Sequence, residues 1–243
     1  MRLHAAVRDG NINAVRNLLQ GEAVQELNNV RTSWGTPLHV AIWCDNLLIL
    51  RTLLDAGADP TLEPGGTDSA DTALQLAAQR GHLDINRELW GRMAPEYHAN
   101  ESWPCLVQAA RYGQAALVRW YLDIWHGWSA STTEKALGAA VGRWHYDTVD
   151  VLLRNVDYGA DPDVQDYRGK TVLHELAFPI FIKAGSGQRA VHDKAIALLL
   201  HPGASVSVNN VYGETPLHLA AFAFGLDKLR PYLLPQPAPE LLA

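Results

Sequence analysis

Only two cysteines, Cys44 and Cys105, occur among the 243 residues, and they form neither a CxxC pair nor part of a histidine-rich cluster. That excludes a disulfide framework and a cysteine-ligated zinc site. Long hydrophobic runs are missing too, since every apolar stretch is broken well short of the roughly twenty residues a membrane helix requires. The opening residues, Met1 to Gly10, meet a charge every few positions and lack the apolar core of a secretory signal, so a reducing intracellular compartment, cytoplasm or nucleus, is expected. Basic charge is in deficit: 20 Lys and Arg stand against 26 Asp and Glu, for a formal net charge of −6. Phosphate affinity depends on an excess of cations, so neither nucleic acid nor an anionic membrane surface is an expected partner. What is present is 48% hydrophobic and 19% charged, a balance that supports packed cores and excludes a disordered chain.

One pattern recurs seven times: a Leu, usually an Ala three residues on, a small or polar turn near position seven, and a Leu-rich pair at fifteen and sixteen. The anchors are Leu3, Leu38, Leu74, Leu106, Leu137, Leu173 and Leu217, spaced by 35, 36, 32, 31, 36 and 44 residues. Such a period marks a repeat protein, whose units bury their apolar faces only by stacking. In Thr36-Pro37-Leu38-His39 the threonine suits a helix N-cap and the proline the first helical position. A second amphipathic stretch ends at Leu53-Leu54, where Gly57-Ala58-Asp59-Pro60 stops it. Each unit therefore reads as two short antiparallel helices and an extended connection.

These residues resemble the ankyrin repeat family. Thr36-Pro37-Leu38-His39 and Thr215-Pro216-Leu217-His218 reproduce its TPLH, and Gly169-Lys170-Thr171-Val172-Leu173-His174 comes close. Gly57-Ala58-Asp59 and Gly159-Ala160-Asp161 match its GAD turn, and Gly81-His82 its mid-repeat GH. The resemblance spans residues 1–234 and implies an all-α repeat solenoid of about seven helix-turn-helix units with β-hairpin fingers. Residues 178–194 then form an insertion within repeat six, and 235–243 a Pro-rich tail. The resemblance also makes His4, His39, His174 and His218, each one residue after an anchor, scaffold groups bonded to neighbouring backbone; His82 and His145 are read likewise.

The family's partner-contacting side chains lie five and six residues after the anchor and three, five and six before it. Carried over, that map gives Trp43, Cys44, Arg80, Trp103, Arg111, Tyr112, Arg143, the adjacent Trp144, Tyr167, Phe178, Tyr212 and Phe222. Trp, Tyr and Arg dominate binding hot spots because rigid rings desolvate well and guanidinium groups pair bidentately. Arg80, Arg111 and Arg143 recur one per repeat as a basic ladder, unless each pairs with a neighbouring acid. Among the tryptophans, Trp120 reads as helix packing, and Trp125 and Trp128 as cover over repeats that have lost their GAD turn. The expected function is non-catalytic: a binding module that docks a protein segment or peptide in an aromatic- and Arg-rich concave groove, with no cofactor and no metal. The alternative is a small-molecule-binding protein, or a cofactor-free cyclase, isomerase or lyase, using a pocket around repeats two to five. Asp71, His98, Glu101 and Tyr112 would then move protons. Self-association through the apolar C-terminal helix pair, with Leu226, Leu229, Leu233 and Leu234, is a further expectation.

Overall fold

A computed structural model of the chain describes residues 2–28, 34–63, 71–154, 161, 163, 165–166, 168–177 and 205–224. Tyr167, Phe178, the expected insertion, the C-terminal leucines and the tail lie outside the described residues, as does the side chain of Glu101. The chain divides into two compact units, Met1–Trp128 and Ser129–Ala243. The first holds α1 (Arg2–Arg8), α2 (Ile12–Leu19), a 3-10 turn (Glu22–Glu26), α3 (Pro37–Trp43), α4 (Leu47–Asp55), α5 (Ala73–Arg80), α6 (Leu83–Arg92), α7 (Pro95–Arg111) and α8 (Ala115–Ile124). The second holds α9 (Ala130–Val141), α10 (Tyr146–Arg154), α11 (Val172–Ala177) and α12 (Pro216–Phe224).

Most of these helices are too short to persist alone in water, so packing must stabilise them. In the first unit α1 packs on α3, α3 on α5 and α5 on α7, while α2 packs on α4 and α4 on α6. Six of the seven anchors, Leu3, Leu38, Leu74, Leu106, Leu137 and Leu173, are fully withdrawn from solvent, and Leu217 is half-buried. Each such leucine contributes roughly 2 kcal/mol of burial, so the period in the sequence is the period of the core.

The histidines after the anchors tie each repeat to the next. Nδ1 of His39 accepts from the backbone N–H of Thr36 at 3.3 Å and from its hydroxyl at 2.8 Å. Its proton must then sit on Nε2, which donates to the carbonyl of Asp71 at 3.3 Å. His174 repeats the arrangement with Thr171, at 3.0 and 2.9 Å, and with the Glu214 carbonyl at 2.9 Å. His4 reaches the carbonyl of Gly35 at 3.0 Å. In all three cases the acceptor stands three residues before the next anchor, and His39 and His174 also cap their own helices.

Seven residues after the anchor the backbone turns sharply from first helix to second. Gly10, Asp45, Gly81, Gly113 and Trp144 occupy this position, with φ of 68°, 51°, 77°, 75° and 63°. Glycine enters this left-handed region freely and Asp tolerates it, whereas a bulky tryptophan is strained there by roughly 1–2 kcal/mol. Its ring, 6.3 Å from that of Tyr146, offsets part of that strain. Trp144→Gly is expected to stabilise the second unit by about 1 kcal/mol, read as a higher urea midpoint. A lower midpoint would mean that the ring's packing outweighs the backbone strain.

The structure departs from the expected β-hairpin fingers. Among the described residues no strand forms, and the finger tips are closed turns without ladders. Asp166 N–H bonds the Lys170 carbonyl and Asn210 N–H the Glu214 carbonyl, each at 2.9 Å, and the two turns meet where Val211 N–H reaches the Arg168 carbonyl at 3.0 Å. In the fourth repeat there is no finger: α7 runs unbroken from Pro95, with Pro104 inside it, so Glu101 and Trp103 stand on a helix instead of a loop tip. The chain breaks only at Met93 and Ala94, between α6 and α7, so the residues where a finger would stand are already helical. The tryptophans fill the irregular junction that results. Trp90 stacks on His98 with centroids 4.0 Å apart and meets Trp120, Tyr121 and Trp125 edge-on at 6.1, 5.8 and 6.4 Å. Beneath them the buried Tyr121 hydroxyl donates to Asn86 Oδ1 at 2.6 Å.

Candidate functional site

Trp43 closes α3 five residues after its anchor, and its side chain is 40% exposed. Arg80 closes α5 six residues after the next anchor, with its guanidinium 4.5 Å from the centre of the Trp43 ring. Among the described residues Arg80 has no acidic partner; it is held by a cation–π contact, which leaves its positive charge uncompensated. Trp34, 60% exposed, meets Trp43 edge-on at 6.2 Å and 86°. The right-angled pair forms one wall of a cavity of about 460 Å³, completed by His4, Ala5, Arg8, Val40 and Cys44. Arg8 occupies the same register position in repeat one as Trp43 in repeat two, and its only described acid contact is a solvent-exposed one with Asp9 at 3.3 Å.

Nε2 of His4 meets the Gly35 carbonyl, and among the described residues its buried Nδ1 has no hydrogen-bond partner. The sequence has no threonine three residues ahead of His4 to supply one, unlike His39 and His174. Cys44 caps α3 and is exposed, with its thiol 3.9 Å from the Arg8 carbonyl; Cys105 is fully buried.

The remaining candidates are distributed. Trp103 (50% exposed), Arg111 and Tyr112 lie along and at the end of α7. Asp71 accepts a bond from Gln108 Nε2 at 3.2 Å. His98 donates from Nε2 to the Trp90 carbonyl at 3.0 Å and lies flat on that indole, so it belongs to the helix-packing cluster. None of Asp71, His98 and Tyr112 lines the cavity. In the second unit Arg143 and Trp144 stand in the turn after α9. Tyr212 stands exposed on the turn before α12, and Phe222 on that helix.

Trp34, Arg8 and His4 are the cavity residues that sequence reasoning missed. Trp34 falls one place outside the finger-tip positions of the map, and His4 reads as scaffold. Arg8 was within reach, because the five-after-anchor rule applied to repeat one selects it.

The comparisons with known proteins agree with the geometry. Residues 2–64 match the family model for ankyrin repeats (3 copies). The chain is similar over 95% of its length to the crystal structure of the ankyrin repeat domain of Bcl-3, described there as a unique member of the IkappaB protein family. That match has 26% identity, covers 98% of the Bcl-3 chain and has a TM-score of 0.69. No curated protein matches the sequence. Residues 2–64 thus carry ankyrin repeats, and the fold is that of an ankyrin repeat domain, a protein–protein interaction module. No helix among the described residues is long and apolar enough to cross a membrane.

Proposed function

We propose that this ankyrin repeat domain docks an extended protein segment on its first unit, seating an apolar or aromatic side chain against Trp34 and Trp43. Arg8 and Arg80 would take acidic groups flanking that side chain. The observation that carries this reading is the exposed tryptophan pair: two large rings at right angles beside a cavity, one of them already fixed by a cation. Exposed aromatic surface next to guanidinium groups characterises binding hot spots. A small-molecule ligand is the second reading, favoured by the cavity's volume, which falls within the range of ligand pockets.

Cys44 supplies the test, since it is exposed at the cavity while Cys105 is buried. A benzophenone-maleimide placed on Cys44 and irradiated in native extract is expected to capture one polypeptide in a band that free apolar peptide displaces. Recovery of a stoichiometric small molecule, with no polypeptide crosslinked, would replace the first reading with the second.

A further inference from the structure

A second cavity, of about 360 Å³, lies in the second unit between α9 and the chain entering α11. Its floor is apolar: Leu137 and Val141 are fully buried beneath it. Gly138 and Gly142, one turn apart on α9, line it without side chains. An ideal Cβ built on Gly138 meets nothing within 4 Å, so the space over this helix turn exists because a side chain is missing. The rim is charged. Glu134, Asp161, Asp166 and Glu175 line it together with one cation, Lys170, a net of three negative charges.

These carboxylates are not equally engaged. Lys170 Nζ binds Glu175 at 2.9 Å. Asp166 accepts the backbone N–H groups of Arg168 and Lys170, each at 2.8 Å, and Asp161 accepts that of Asp163 at 2.9 Å. Among the described residues Glu134 has no hydrogen-bond or ion-pair partner. It stands one helical turn before Gly138, directly beside the open floor. An apolar floor ending in a half-buried carboxylate that no described residue pairs suits an aliphatic stem with a cationic head, which buries its methylenes while its charge reaches the rim.

We infer that this cavity is a recognition subsite for an arginine or lysine side chain of a protein partner, with the stem laid over Gly138 and Gly142 and the cation held by Glu134. Arginine suits it best, because a planar guanidinium can span Glu134 and a second rim carboxylate in bidentate contacts. The subsite does not rest on the first-unit reading. It has the opposite charge preference and its own residues.

The test is a nuclear magnetic resonance titration of the full chain with blocked pentapeptides in which serine and alanine flank a central arginine, lysine, norleucine or glutamate. The arginine peptide is expected to give saturable shifts of the Gly138 and Gly142 amides, with about tenfold tighter binding than norleucine and none for glutamate. Glu134→Gln is expected to remove most of the arginine-over-norleucine preference. Gly138→Leu is expected to abolish saturation while leaving the melting temperature unchanged or higher, since leucine is the better helix former. Absence of glycine shifts, equal affinity for arginine and norleucine, or full arginine binding by Gly138→Leu would each overturn the assignment. Trp43→Ala is expected to bind the arginine peptide as the wild type does, which separates this subsite from the first-unit cavity.

Discussion

Replacing His39 by alanine is expected to destabilise the first unit by about 3 kcal/mol. Three losses combine. The Thr36 N–H and hydroxyl lose their shared acceptor, the Asp71 carbonyl loses its donor, and a cavity opens beside the fully buried Leu38 and Ala41. Because His39 reaches from one repeat to the next, the change weakens a stacking interface as well as a helix cap. Urea denaturation followed by circular dichroism measures it, and a midpoint within experimental error of the wild type would refute the inter-repeat pin.

The same residue makes the unit sensitive to acid. Burial lowers the pKa of His39, against the opposing pull of the Asp71 carbonyl and carboxylate. Burial lowers that of His82 as well, although Asp45, 3.0 Å away, opposes it. In the unfolded chain both return to the ordinary histidine value of about 6.5, so below that pH the unfolded state binds more protons. Stability is therefore complete above pH 6.5 and is lost as pH falls from there through the lowered folded-state values. Protonating Nδ1 of His39 would also cancel its role as acceptor for Thr36. In the His39→Ala protein the slope of stability against pH below 6.5 is expected to flatten, because one of the two contributing groups is gone.

The second large effect is on binding. Trp34→Ala combined with Trp43→Ala is expected to weaken the docked segment by about a hundredfold, consistent with two aromatic anchors at a hot spot. Unfolding stability should fall by less than about 1 kcal/mol, because both rings are substantially exposed and make few core contacts. The two readouts move oppositely to those of His39→Ala, where stability falls and any surviving folded protein keeps its cavity. Once the captured polypeptide is in hand, isothermal titration with its segment gives the affinity ratio. Undiminished affinity in the double variant would remove the tryptophan pair from the site.

Much of the scaffold was legible because repetition amplifies weak local signals. Thr36-Pro37 marks a helix start by chemistry alone, and the seven-residue offset of the turn is visible before any coordinates. What was not legible came where the pattern is interrupted. The long helix α7 occupies the residues where the map assumed a finger, and that map placed Glu101 and Trp103 on a loop. His98 drew notice as a titratable group outside the consensus, yet its flat contact with Trp90 depends on how α6 and α7 cross.

The sequence by itself determined the period, the buried anchors and the scaffold role of the TPLH histidines, because those depend on contacts between residues at fixed offsets. The tertiary structure decided which surface residues form cavities. Trp34 and Trp43 meet across a stretch of intervening chain, and Arg80 finds an indole where sequence offered it a choice of acids. Glu134 gains its meaning only from the empty space over Gly138. Such pairings depend on the orientation of neighbouring repeats and on which side chains are too small to fill the space between them, and no periodicity in one dimension encodes either.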